Sequence, residues 1–181
     1  MMKKLVIALT VAVLGVYLVF VLVNQVYPYV QWMLQREDEV RLTFDTPEQL
    51  LASERVNESV KPWLKLPAAY PEGAALEGVD YADDRLTTPQ MTLRYARAGT
   101  RYMNYSIGGN YDLSTHRKLK SAELGAVEGD LLVGRDGTVV IKWRDADGPP
   151  YRYVYFFDPA LAEDEMIRIA ASFAAAALPT T

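Results

Sequence analysis

The chain has no cysteine and a single histidine, His116. The first absence removes disulfides, thiol nucleophiles, cysteine metal ligands and a lipidated-cysteine anchor together. The second leaves zinc without its usual three or four nitrogen and sulfur ligands, so no metal and no cofactor is expected. A basic excess is also missing, because 19 Lys and Arg stand against 23 Asp and Glu, a net charge of −4. Phosphate backbones demand a basic surface, so nucleic acid is excluded as a partner. No internal repeat is visible, and no low-complexity tract exceeds the run Ala174 to Ala177.

Charge is absent altogether between Lys4 and Arg36, and Leu5 to Val23 read LVIALTVAVLGVYLVFVLV. About 19 apolar residues span about 28 Å as a helix, close to the hydrocarbon thickness of a bilayer. Lys3 and Lys4 flank one side, and Arg36, Glu37, Asp38 and Glu39 the other. The positive-inside rule then puts the N-terminus in the cytoplasm and the bulk of the chain outside. Tyr27, Tyr29 and Trp32 fall where aromatic rings favour the outer headgroup level. A cleaved signal is the competing reading, but its apolar region is shorter and ends at small residues, whereas this run exits through Val21-Leu22-Val23-Asn24-Gln25. The expected organisation is a stub at 1–4, a signal-anchor helix at 5–26, a membrane-proximal linker at 27–45, one extracytoplasmic domain at 46–176 and a tail at 177–181.

Within the outer domain, Asp45-Thr46-Pro47-Glu48 is a helix start, predicting a short helix through about Val56. Three prolines in KPWLKLPAAYPEG, from Lys61, forbid a helix interior and predict an extended segment. The period then becomes two. Strands are expected at 91–97, 100–107, 130–135, 138–144 and 151–158, with weaker ones at 75–82 and 118–127. Ala98-Gly99, Asp136-Gly137 and residues 145–150 supply turns, which predicts an antiparallel meander. Met166, Ile169, Ala170 and Phe173 form a helical stripe over 162–176. The expected fold class is α+β: one N-terminal transmembrane helix, then a curved antiparallel sheet with a C-terminal helix packed across it.

Two stretches carry a resemblance. Leu66-Pro67-Ala68-Ala69-Tyr70-Pro71-Glu72-Gly73-Ala74-Ala75-Leu76-Glu77-Gly78-Val79 leads to Leu93-Arg94-Tyr95, and Val140-Ile141-Lys142-Trp143 runs through Gly148 and Tyr153 to Glu165-Met166-Ile167-Arg168-Ile169-Ala170-Ala171-Ser172-Phe173. They are similar to the Tyr/Leu-Pro-Glu-Gly entry, the Trp, Gly, Tyr strand pair and the closing helix of the DUF4367 family, bacterial envelope domains without an assigned function. The resemblance implies an extracytoplasmic, membrane-anchored domain. The family often sits behind a cytoplasmic module that restrains a sigma factor, and Met1 to Lys4 cannot supply one. Any signalling must then run through another membrane protein. At fold level the layout is also similar to lipoprotein carriers and periplasmic stress sensors.

Asp112, Ser114 and His116 invite a hydrolase reading, yet triad members normally come from separate segments, and a solvated turn explains this stretch better. Asp145-Ala146-Asp147-Gly148 imitates a calcium loop, but position 12 falls at Phe156. Asp83-Asp84 and Glu128-Gly129-Asp130 read as solvated turns. The more suggestive feature is aromatic. Tyr151, Tyr153 and Tyr155 alternate on one strand with Phe157, Tyr102 and Tyr105 lie on another, and Tyr95 and Trp143 on neighbouring ones. Tyr95, Tyr102, Trp143, Tyr151, Tyr153 and Tyr155 are the candidate ligand-binding face, against plain packing as the competing explanation. The expected function is a non-catalytic binding or sensory module that takes an envelope protein partner or a lipid or glycan ligand. The alternatives are a lipid or cell-wall ligand carrier, which needs an open apolar cleft between sheet and helix, and an envelope hydrolase centred on His116.

Overall fold

The computed structural model describes residues 14–30, 39–67, 70–83, 87–109, 111–145 and 150–176. The chain divides into two compact units, Met1–Glu39 and Val40–Thr181. In the first, residues 14–30 are helical, with a π-helical turn at Leu22–Val26 and the Asn24 amide donating to the Phe20 carbonyl at 2.9 Å. Val16, Leu18, Phe20 and Val23 are all exposed there. The expected stub at 1–4 lies outside the described residues, and the expected span at 5–26 lies there in part. Among the described residues, no helix is long and apolar enough to cross a membrane.

The second unit opens on β1 (Val40–Phe44), inside the stretch expected to be a linker, so the sheet begins before residue 46. Next comes α1 (Pro47–Ala52), shorter than expected. Thr46 caps it, its hydroxyl accepting the Gln49 N–H at 3.4 Å, and the helix stops at Ser53, which is extended. A 3-10 turn at Lys61–Trp63 follows, and seven strands complete the sheet: β2 (Ala74–Asp83), β3 (Gln90–Arg97), β4 (Thr100–Gly108), β5 (His116–Glu123), β6 (Glu128–Gly134), β7 (Val139–Arg144) and β8 (Tyr151–Phe156). Every neighbouring pair is antiparallel, in the order β1-β2-β3-β4-β8-β7-β6-β5. The fold is therefore two four-stranded meanders joined between β4 and β8, rather than one continuous meander. Residues 109–115 carry the chain from the middle of the sheet to its far edge.

Gly108 sits where that crossover leaves β4, at φ +75°, and a Cβ there would stand 2.0 Å from the Pro89 carbonyl oxygen. Gly108→Ala is expected to cost more than about 1 kcal/mol from the left-handed backbone alone, with the clash added, and a lowered urea midpoint at unchanged slope would show it.

The last element, α2 (Glu163–Ala174), buries Met166, Ile169, Ala170 and Phe173, the stripe that the sequence predicts. Its first turn reveals the curvature of the sheet. Glu163 pairs with Lys120 on β5, and Glu165 with Arg97 on β3 at 3.7 Å. Those strands lie five places apart in the sheet order, about 24 Å if the sheet were flat. One helical turn can reach both only if the sheet rolls around the helix.

Candidate functional site

Strand register assigns each candidate aromatic residue to a face. Tyr105 lies opposite Leu93 and Val154, and Trp143 opposite Gly129 and Arg152. Ser106, by contrast, lies opposite Thr92 and Tyr153, Asn104 opposite Tyr155, and Lys142 opposite Tyr153. Because side chains alternate along a strand, Tyr95, Tyr105 and Trp143 line the helix-covered interior, and Tyr151, Tyr153 and Tyr155 the other face. The single face expected from the sequence is thus two faces. Tyr102 stands beside the register shift between Tyr95 and Ala96, buried, with the Arg97 guanidinium 4.1 Å over its ring.

Tyr111, which the sequence reading passed over, organises the outer face. It rides on the crossover and lays its ring on Tyr153 at 4.6 Å and Tyr155 at 5.3 Å. Its hydroxyl meets the Gln90 side-chain amide and, at 3.2 Å, the Thr92 hydroxyl, which contacts the Ser106 hydroxyl at 3.0 Å. Burial pushes the Tyr153 phenol up to about 12 and raises those of Tyr155 and Tyr111. At neutral pH these rings are uncharged donors rather than bases or nucleophiles. Tyr151 remains 42% exposed, with the Lys142 ammonium 3.9 Å over its ring. The arrangement can stack an apolar ring or sugar face on Tyr151 and attract a carboxylate to Lys142, and it offers no activated group.

Within the interior, Tyr105 stacks on Trp143 at 6.2 Å and meets Phe173 at a tilt at 4.2 Å, and Phe173 meets Tyr95 edge-on at 6.0 Å. Phe173, Ile169 and Met166 occupy the space between α2 and the sheet where a carrier would need its cleft. At the β7–β8 end of this face lies a charge cluster invisible in the sequence. The Asp145 carboxylate accepts from Lys65 Nζ at 2.9 Å and from Arg152 Nε and Nη2 at 2.8 Å each. Arg152 Nη1 also donates to the Trp63 carbonyl at 3.0 Å and to the Tyr105 hydroxyl at 2.5 Å. Burial raises the Asp145 pKa, but Lys65 and Arg152 outweigh it and hold the carboxyl below its ordinary range. For Tyr105, burial is the larger effect, and it raises the phenol despite Arg152.

The hydrolase candidates do not assemble as a relay. Ser114 donates its backbone N–H, at 2.9 Å, and its hydroxyl to the Asp112 carboxylate, whereas His116 Nδ1 faces the Thr115 hydroxyl at 3.3 Å. Asp136 Oδ1 and His116 Nε2 both lie within 3.0 Å of where a Gly134 Cβ would stand, and Asp136 is bonded to the Thr138 N–H at 3.0 Å. Asp130 pairs with Lys118 at 2.5 Å. Among the described residues, no group of three His, Cys, Asp or Glu side chains could hold a metal ion. Residues 146–148 of the calcium-like stretch that starts at Asp145, and Asp84, lie outside the described residues.

No family model, curated protein or solved structure matches this chain.

Proposed function

We propose that this chain is a membrane-anchored, extracytoplasmic binding module without catalytic activity, and that it recognises a cell-wall glycopeptide on its outer tyrosine face. The observation that carries the reading is Tyr151, a half-exposed ring beside Lys142, standing on buried Tyr153 and, behind it, half-buried Tyr155 and Tyr111. A glycopeptide supplies both a sugar face for the ring and carboxylates for the ammonium. The anchor is supported by the uncharged run 5–23 and by a helix at 14–30 whose apolar side chains are exposed all round. A helix with no polar face is stable in lipid or inside a protein core. The module reports or buffers ligand state beside the membrane, through a second membrane protein if it signals.

The test is retention of a defined muropeptide digest by the immobilised full-length chain, read by mass spectrometry. Tyr151→Ser is expected to weaken retention at least about tenfold, as truncation of an aromatic contact does at other interfaces, with stability changed by less than about 0.5 kcal/mol. Equal retention by both proteins removes the outer face from consideration. Muropeptide hydrolysis lost in His116→Ala would instead establish the hydrolase alternative.

A further inference from the structure

Trp143, Tyr95 and Tyr102, all in the core, each carry a buried donor with no acceptor, and the first two lie on the helix-covered face. Trp143 Nε1 and the Tyr95 hydroxyl are both enclosed and bond to no protein atom. Buried polar groups are nearly always paired, so each orphan asks for a missing partner. Indole N–H only donates, so the partner of Trp143 must be an acceptor.

A charge imbalance lies beside the first orphan. Lys65 and Arg152 share one carboxylate, Asp145, which leaves the cluster one positive charge in excess among the described residues. Arg152 is only 3% exposed and is the cross-strand neighbour of Trp143. Arg152 is enclosed, whereas the Lys65 side chain is 31% exposed, so the excess charge sits at the rim of the cluster, where an anion can reach it. Lys65 Nζ makes one polar contact among the described residues, to Asp145, and at that exposure its other N–H groups are open to water or a ligand.

From this cluster an aromatic lane runs outward. Trp143, Tyr105, Phe173 and Tyr95 touch in sequence, and Tyr95 meets Tyr70 at 5.4 Å, itself 42% exposed. The fastening of α2 over that lane is light at its ends. Ala162 provides no side-chain cap, no basic residue sits in the last turn, and the Glu163–Lys120 and Glu165–Arg97 pairs are part-exposed.

We infer that the space between sheet and α2 is the seat of a singly charged anionic amphiphile, and that Phe173 fills the place of its apolar tail when the seat is empty. The carboxylate or phosphate head takes the spare N–H groups of Lys65 and the Trp143 indole. The tail replaces Phe173 along Tyr105 and Tyr95, an exchange of apolar for apolar contact, and a carbonyl or ester oxygen along it meets the Tyr95 hydroxyl. This seat is independent of the outer tyrosine face.

The experiment uses the full-length chain in phosphatidylcholine vesicles carrying either diazirine-labelled palmitic acid or diazirine-labelled phosphatidylglycerol, irradiated, digested and mapped by mass spectrometry. Adducts are expected on the Tyr95 peptide and on the peptide that follows Arg168, and Trp143→Phe and Lys65→Met should each reduce them at least fivefold. Labelling of residues 14–30 is the reference and should not change; its loss would fault the membrane reading and not the seat. Tyr95→Phe, which removes one oxygen, provides a second mild variant should Trp143→Phe fail to fold. Adducts from one probe alone identify the head as free acid or phospholipid. Labelling confined to 14–30 with both probes, or interior labelling indifferent to the substitutions, overturns the inference.

Discussion

Asp145→Ala is expected to destabilise the sheet domain by about 3–5 kcal/mol, the usual cost of removing one partner from a buried ion pair. The substitution strands Arg152, 3% exposed, and deprives Lys65 of its partner, while Arg152 retains only neutral acceptors in Trp63 and Tyr105. The damage is to the surviving charge more than to lost attraction. Asp145→Ala combined with Arg152→Met should therefore be more stable than Asp145→Ala alone, since the double variant buries no unpaired guanidinium. Urea unfolding followed through the tryptophans reads both, because Trp63 and Trp143 adjoin the cluster. The pH dependence has a definite sign. Asp145 has a lowered folded pKa, so its stabilisation is complete above the ordinary carboxylate value of about 4 and is lost as pH falls through the folded value. Asp145→Asn should flatten that acid limb relative to the wild type. An identical acid limb in both would mean that the cluster is not the group being titrated.

The sheet was largely legible because its strands carry β-branched and aromatic residues at period two and its turns carry Asp-Gly and Ala-Gly. Five of the eight strands follow from those signals, and the two weaker ones expected at 75–82 and 118–127 are found at 74–83 and 116–123. β1 did not, although Val40-Arg41-Leu42-Thr43-Phe44 alternates inward and outward faultlessly. Five residues behind an acidic run read as linker, and only pairing with Val79 to Asp83 gives them a reason to be a strand. The helix after Thr46 was anticipated from its cap, but its end was not, since Ser53 has no strong stop signal in the sequence.

The site was legible in residue type and not in placement. Alternation along a single strand correctly groups Tyr151, Tyr153 and Tyr155, but relating two strands requires register, and register depends on bulges and on which strands meet. The β4–β8 junction could not be read from local pattern, and it is this junction that sets Tyr105 against Val154 and Ser106 against Tyr153. Tyr111 stands in a crossover with no periodicity at all. The Asp145 cluster draws on Lys65 and Arg152, which lie 80 and 7 residues from their partner. In the sequence all three look like ordinary surface charges, and only folding encloses them.

Phe173→Ala is the second large effect, expected at about 3–5 kcal/mol for a fully buried aromatic side chain cut back to a methyl. Phe173 is 0% exposed and is the one helix side chain in ring contact with both Tyr95 and Tyr105. Its loss empties the centre of the aromatic lane, and the neighbours are held too firmly to collapse into the space, Tyr105 by its bond to Arg152 and by its ring contact with Trp143. The loss should be localised differently from that of Asp145→Ala. Hydrogen exchange in Phe173→Ala should quicken first along α2, whose remaining buried ties are Met166, Ile169 and Ala170, with partly buried Ile167, Ala171 and Ala174 and two part-exposed ion pairs. In Asp145→Ala it should quicken first at the 61–66 segment and the facing ends of β7 and β8. Phe173→Leu, which keeps most of the volume, should cost about 1–2 kcal/mol. If exchange in Phe173→Ala instead rises uniformly across the sheet, α2 is part of one cooperative core and not a separable cover. That pattern would remove the mechanical basis for a helix that yields to a ligand, whatever the buried donors imply.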